Sequence, residues 1–384
     1  MTLISPATYI RTFDDLRRLT DTLAREPVIA IDTESNSLYA YRERVCLIQI
    51  STRDADYIVD PLIIADVSPL APLLENPALE KIFHAAEYDL ICLKRDYGFT
   101  VVNLFDTMIA ARICGHKQIG LSSLLSEYEG VEQDKKHQRD DWGQRPLPPD
   151  SLLYAQMDTH FLPSLRDKLA EKLTELGRWH EAREAFEEAT NVVMPDTAFN
   201  PDGYWRLGLP NQLTRRQMAI LRELYLLRDE IAARRDQPPF KIFMDRTLVQ
   251  LSQIAPQTLT DLYGIAGMSP AQIRRYGDQL LRAVAKGDRA KLPPPPERQP
   301  PADPLVVDCY TTLREWRRNR AQERGVESDV ILSRETLWAL AERIPTTLEA
   351  MRDIPGLGPW KLDAYGNELL DVIKRCKQRT TTQL

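Results

Sequence analysis

The 384-residue sequence predicts a mixed α/β domain followed by two all-α helical bundles. Three observations predict it: strand-like and helix-like runs alternate early in the chain, helical periodicity takes over from about residue 120, and an internal repeat follows residue 210. PVIAIDT (27–33), RVCLIQIS (44–51) and ADYIVD (55–60) are short apolar runs that read as strands. KIFHAA (81–86) and TVVNLF (100–105) add two more, separated by EYDLICLKRDYG, a helix that Gly98 closes. Asp106-Thr107 is a natural N-cap for MIAARICG. Three adjacent strands followed by alternating helices and strands imply a mixed sheet.

Behind residue 210 the pattern repeats at an offset of 89 residues: Leu224, Arg228, Ala232, Arg235, Gly267 and Tyr276 recur as Leu313, Arg317, Ala321, Arg324, Gly356 and Tyr365. The proline-rich stretch AKLPPPPERQPPADP separates the copies as a semi-extended linker. The expected domains are therefore 1–205 (α/β), 206–288 (first helical copy), 289–303 (linker) and 304–384 (second helical copy).

Composition narrows the class. The chain is 43% apolar and 28% charged, which excludes disordered, collagenous and coiled-coil types. No apolar run approaches the ~20 residues of a membrane helix, and the N-terminal segment lacks the apolar core of a signal peptide. Five cysteines without regular spacing argue against disulfides or zinc, so a cytoplasmic protein is expected. A monomer without membrane contact is the further expectation. The net charge of −6 hides an asymmetry: residues 1–210 hold 22 Lys+Arg against 34 Asp+Glu, and the remainder 28 against 22. A basic half behind an acidic half suits a polyanion-binding appendage on a carboxylate-rich enzyme, although solvated basic helices give the same count.

Asp32 and Glu34 stand two apart at the end of the first of these strands, so their side chains share one face. Asp89 follows a later strand on the first turn of its helix. Asp158 lies in LLYAQMDTHFL with Tyr154 one turn earlier on the same face. Four carboxylates brought together repel one another unless cations intervene, and oxygen-only ligands suit Mg²⁺ or Mn²⁺. Each motif alone is common: a turn acid, a half-buried tyrosine, or a helix N-terminal acid accounts for it, and Glu87 competes with Asp89.

Together, VIAIDTES, IFHAAEYDL and YAQMD resemble in order the three motifs of the DEDD 3′–5′ exonucleases, in the tyrosine-containing subgroup. FDTMIAARICG, DDWGQRPLP and the trailing repeats narrow the resemblance to the ribonuclease D family, whose helical repeats are HRDC domains. It covers nearly the whole chain. The resemblance implies a ribonuclease H-like fold and two divalent ions, Mg²⁺ or Mn²⁺. Asp32, Glu34 and Asp158 would hold the first ion, Asp32 would bridge to the second, and Asp89 would act mostly through water. Tyr154 would orient the attacking water. It implies a 3′–5′ exoribonuclease that trims structured RNA such as transfer RNA precursors to nucleoside 5′-monophosphates. A DNA exonuclease and a non-catalytic nucleic-acid binder are the alternatives; the intact carboxylates argue against the second.

Further residues invite an RNA contact. His84 precedes the second motif and otherwise reads as a strand-end core or capping histidine. Arg145 meets RNA phosphate or pairs with Asp140 or Asp141, and Trp142 stacks on a base or anchors its loop. In the second helical copy, IPGLGPWK resembles a helix-hairpin-helix turn in which Gly356, Gly358 and Lys361 would grip phosphate; a helix C-cap explains the glycines equally. The first copy keeps Gly267 but replaces the second glycine with Ser269, so if only the second copy grips phosphate, the first would serve as a spacer or clamp the catalytic domain. Arg228, Arg234, Arg235, Arg317, Arg318 and Arg320 form basic clusters suited to RNA backbone. Ser35 stands where the family carries an aromatic residue, leaving Leu38, Tyr39 or Tyr41 to contact the terminal base.

Overall fold

The computed structural model describes residues 4–133, 135–296 and 303–382, so the centre of the predicted linker, 297–302, lies outside the described residues. The chain divides into two compact units. The first comprises residues 1–34, 45–194 and 300–384; the second comprises 35–44 and 195–299.

The α/β body has strands β1 (Thr8–Ile10), β2 (Val28–Ser35), β3 (Val45–Ser51), β4 (Asp56–Val59), β5 (Glu80–Phe83) and β6 (Leu104–Asp106). Its helices are α1 (Phe13–Leu23), α2 (Ala71–Leu74), α3 (Glu87–Tyr97), α4 (Thr107–Cys114), α5 (Leu121–Glu129), α6 (Pro149–His160), α7 (Leu162–Glu175) and α8 (Trp179–Ala189). The six strands form one sheet in the order β1-β4-β3-β2-β5-β6. β3 and β4 pair antiparallel, while β1 with β4, β2 with β5 and β5 with β6 run parallel, so the sheet is mixed as expected.

Helices cover both faces, and β2 shows how. Ile29 and Ile31 pack into one core with Leu90 and Leu93 of α3, whereas Val28 and Ala30 pack into another with Leu165 and Leu169 of α7. A strand buried on both sides reads as a continuous apolar run, which is why VIAI was legible. By the same alternation Asp32 and Glu34 continue the Val28–Ala30 face beyond the last apolar residue. Gly98 closes α3 in the left-handed conformation, φ 72°, as the sequence indicates.

The second unit contains α9 (Trp205–Gly208), α10 (Arg215–Arg235), α11 (Pro239–Ile242), α12 (Asp245–Ile254) and α13 (Pro270–Arg289). Loop 35–44 belongs to it: the Tyr41 hydroxyl donates to Asp229 at 2.8 Å, and the Lys241 ammonium lies 3.7 Å over the Tyr39 ring. The second helical copy, in the first unit, has α14 (Pro304–Arg324), α15 (Ser328–Ile331), α16 (Arg334–Arg343) and α17 (Pro359–Thr382).

The repeat corresponds to repeated internal ties. Arg228 donates to the Phe243 carbonyl and Arg317 to the Leu332 carbonyl, each arginine 15 residues before its acceptor. Arg235 and Arg324 both donate to the tyrosine hydroxyl 41 residues on, Tyr276 and Tyr365. Thr247 and Thr336 both donate to a carbonyl 19 residues on, Ala266 and Pro355, at 2.9 Å. Gly267 and Gly356 have φ of 87° and 77°, and a Cβ at either would meet that threonine Oγ1 within 2.3 Å. Most of the arginines suggested for RNA backbone are thus engaged within the bundles. Arg228 also pairs with Asp245, Arg234 with Glu230, and Arg320 with Glu323 and Glu368.

Candidate active site

The end of β2 and the last turn of α6 meet where the central strand leaves the sheet. One carboxylate oxygen from each of Asp32, Glu34 and Asp158 lies within 4.8 Å of the others. Asp89 stands beside this group rather than in it. Thr33, between the two β2 acids, donates to Asp89 Oδ1 from its backbone N–H at 3.1 Å and from its hydroxyl at 2.5 Å. Asp89 is only 6% exposed, so the two donors satisfy a carboxylate that water scarcely reaches. Gln133 donates its amide N–H to Asp158 Oδ1. These donors are neutral, and among the described residues no lysine or arginine pairs with the four acids.

Uncompensated burial explains the electrostatics. Burial, then the charges of Asp89, Asp158 and Glu34, pushes Asp32 well above the usual carboxylate range. Burial followed by Asp158, Asp89 and Asp140 does the same to Glu34. Asp89 and Asp158 are each pushed up to about 7, burial being the largest cause. Tyr154, on α6, is raised by burial and then by Asp158, Glu34 and Asp32, so its phenol keeps its proton at neutral pH. Its ring lies 6.3 Å from Trp142 and 6.4 Å from His137. Trp142 is fully buried, an anchor of its loop rather than an exposed platform.

Asp106 caps α4 through the N–H groups of Met108 and Ile109, as its position suggested. It also accepts from Ala85 and Ala86 at 3.2 and 2.7 Å, holding the turn from β5 into α3. Ala85 adopts a left-handed φ of 61° in that turn, so the strand predicted over 81–86 stops at Phe83. His84 Nδ1 lies 2.9 Å from the Thr107 hydroxyl, which donates to the Phe83 carbonyl; the imidazole belongs to the same turn.

Two expectations of RNA contact meet protein partners instead. Arg145 pairs with neither Asp140 nor Asp141 but with Asp60, through Nε at 2.6 Å and Nη2 at 2.9 Å. The carbonyls of Cys46, Trp142 and Gln144 take the rest of its fork, leaving nothing free for phosphate. Gly356, Gly358 and Lys361 face carboxylates of α8. The N–H groups of Trp360 and Lys361 donate to Glu184, and the Lys361 ammonium lies 3.1 Å from Glu188. Tyr41 is committed to Asp229, and Leu38 is exposed. The contacts through Thr33, Gln133, Asp60 and Glu184 were missed because each joins residues distant in sequence; only the position of Thr33 between two candidate acids offered a signal.

A mixed sheet carrying an acidic cluster at the end of its central strand is the arrangement of a nuclease domain. The 3′–5′ exonuclease family matches residues 7–174, and the HRDC domain matches twice, at 217–284 and 307–373. The chain is 30% identical over 352 residues to a ribonuclease D from Pseudomonas paraeruginosa, covering 91% of this chain and 93% of that protein. It is 32% identical over 293 residues to an exosome complex component 10 homolog from Caenorhabditis elegans, covering 75% of this chain but only 33% of that longer protein. The crystal structure of Escherichia coli RNase D, described as an exoribonuclease involved in structured RNA processing, superposes with a TM-score of 0.66 at 26% identity, covering 97% of this chain and 99% of that one.

The chain belongs to the ribonuclease D family. It is a 3′–5′ exoribonuclease, a hydrolase whose substrate is RNA and whose fold class depends on divalent metal. Among the described residues, no helix is long and apolar enough to cross a membrane.

Proposed function

We propose that this exoribonuclease trims the 3′ ends of structured RNA, transfer RNA precursors above all, releasing nucleoside 5′-monophosphates at a site built from Asp32, Glu34, Asp89, Asp158 and Tyr154. The observation that carries the reading is the Asp32–Glu34–Asp158 group, three converging carboxylates with which, among the described residues, no lysine or arginine pairs. Such a donor set fits hard divalent cations, since oxygen ligands suit Mg²⁺ and Mn²⁺ and a cation removes the mutual repulsion. Two ions held there would ease the attack of water on the terminal phosphodiester and neutralise charge developing on the leaving oxygen.

The protein's own groups divide the remaining work. Asp32, Glu34 and Asp158 would hold the ions, and Asp89, fixed by Thr33, would add its charge from alongside. Tyr154, whose raised phenol is a donor at neutral pH, orients the attacking water instead of deprotonating it. That the E. coli relative is described as processing structured RNA supports the substrate class.

The test compares a 3′-extended transfer RNA with an unstructured RNA and a single-stranded DNA of equal length. The reading expects mononucleotide release from the transfer RNA's 3′ extension and little from DNA. Tyr154→Phe should slow the chemical step about 10²-fold, with RNA affinity unchanged. Equal digestion of the DNA would replace this reading with that of a general 3′–5′ exonuclease.

A further inference from the structure

The two helical copies begin their last long helix differently. In the first, Ser269 caps α13: its hydroxyl accepts from the Gln272 N–H at 3.2 Å, and the Gln272 side chain accepts from the Ser269 N–H at 3.0 Å. Two of the helix's orphan donors are thereby satisfied locally. The position 89 residues on is Gly358, which has no side chain to give. Glu184 of α8 fills the place: its Oε2 accepts from the Trp360 N–H at 2.5 Å and its Oε1 from the Lys361 N–H at 3.2 Å.

A carboxylate that takes two N–H groups at a helix N-terminus, with a lysine alongside, makes the contacts a phosphate would make there. Space is matched to it as well. A Cβ at Gly358 would lie 2.3 Å from Glu184 Cδ, so even an alanine would collide with the glutamate.

Glu184 is one of three. Glu181, Glu184 and Glu188 occupy one face of α8 at spacings of three and four residues. Glu188 meets the Lys361 ammonium. Glu181, 1% exposed, takes both terminal nitrogens of Arg324, at 2.9 and 2.5 Å. Arg178, just before α8, donates to the carbonyls of Ile113 and Arg324, tying the α/β body to the end of α14. Gly115 and Gly325 approach so closely that a Cβ on Gly115 would come within 2.7 Å of the Gly325 carbonyl oxygen. The equivalent arginine of the first copy, Arg235, makes the tyrosine contact and is exposed.

We propose that the acidic face of α8 is a built-in anion for the glycine turn of the second helical copy, and that Gly358 serves to admit Glu184 rather than an RNA phosphate. The second copy is then a clamp on the catalytic body, and its turn is not an RNA-gripping surface. The assignment is independent of which residues perform hydrolysis.

Gly358→Ser gives the second copy the self-capping residue of the first while evicting Glu184, and Lys361→Gln removes the pairing charge without touching the backbone. Both are made in the full-length protein in an Asp32→Asn background, so that RNA survives. Hydrogen exchange of α8 and α17 and affinity for a 5′-labelled 3′-extended transfer RNA are then measured. The expected result is exchange in α8 accelerated tenfold or more by Gly358→Ser and several-fold by Lys361→Gln, with RNA affinity altered less than twofold by Lys361→Gln. Unchanged α8 exchange in Lys361→Gln overturns the clamp. So does a tenfold loss of RNA affinity in that variant with a shallower salt dependence, which would mark a phosphate contact. If Gly358→Ser fails to fold, Lys361→Gln decides alone.

Discussion

Two clusters of carboxylates in the same compact unit differ in what answers their charge. On the face of α8, Glu181, Glu184 and Glu188 are met by Arg324, two helix N–H groups and Lys361. At the end of β2, Asp32, Glu34 and Asp158 face one another with only neutral donors among the described residues, and their proton affinities rise accordingly. A carboxylate cluster completed by protein donors holds structure together. One left incomplete costs stability unless something from outside completes it, and that incompleteness is the physical mark of the proposed catalytic site.

The largest effect should come from the incomplete cluster. Asp32→Asn should lower the rate of RNA shortening about 10³-fold or more, since several kcal/mol of metal-dependent transition-state stabilisation is lost. The same substitution should leave the melting temperature of the metal-free protein unchanged or higher, because a repelling charge is removed. A large drop in melting temperature would place Asp32 among the structural acids and erase the contrast.

The completed cluster should behave in the opposite way. Arg324→Gln strands the buried Glu181 and should cost about 3 kcal/mol in denaturant unfolding, while the activity per folded molecule persists. Arg145→Ala should cost a similar amount by stranding Asp60, whose side chain is fully buried. Normal stability in both variants would mean that these pairs are not what holds the body together.

The contrast also carries a pH dependence. Asp89 and Asp158 hold protons in the folded, metal-free state up to about 7, against 3.8 as the ordinary value. The folded state thus binds more protons than the unfolded chain between those limits, and stability should fall as pH rises from about 4 to about 7. Mg²⁺ held at the proposed site would need the ionised acids, so the rise in melting temperature it produces should grow from pH 5 to pH 8. A metal-induced shift that is the same at both values would contradict the account of the incomplete cluster.

How much was legible in the sequence follows the same division between local and distant. β2, β3 and β4, the closure of α3 at Gly98 and the Asp106 cap rest on patterns a few residues long, and each is found where the pattern lies. β1, Thr8–Ile10, escaped notice because three residues carry no periodicity and its pairing with β4 is distant. TVVNLF shortens to a strand at Leu104–Asp106, preceded by a left-handed Asn103. Asp32, Glu34, Asp89, Tyr154 and Asp158 were legible as motifs, whereas the hold of Thr33 on Asp89 crosses 56 residues and that of Arg145 on Asp60 crosses 85. The repeat in turn exposed the substitution of Ser269 by Gly358. What Gly358 admits could not be read, since Glu184 lies in another domain.

The central claim is that the uncompensated carboxylates carry metal-dependent hydrolysis of RNA from the 3′ end. The most direct test incubates a 5′-labelled 3′-extended transfer RNA with wild-type and Asp32→Asn protein, in Mg²⁺ or Mn²⁺ and in EDTA. The account predicts a ladder shortening from the 3′ end in metal with the wild-type chain, abolished by EDTA and by the substitution. Shortening that persists in EDTA, or in Asp32→Asn at the wild-type rate, would contradict it.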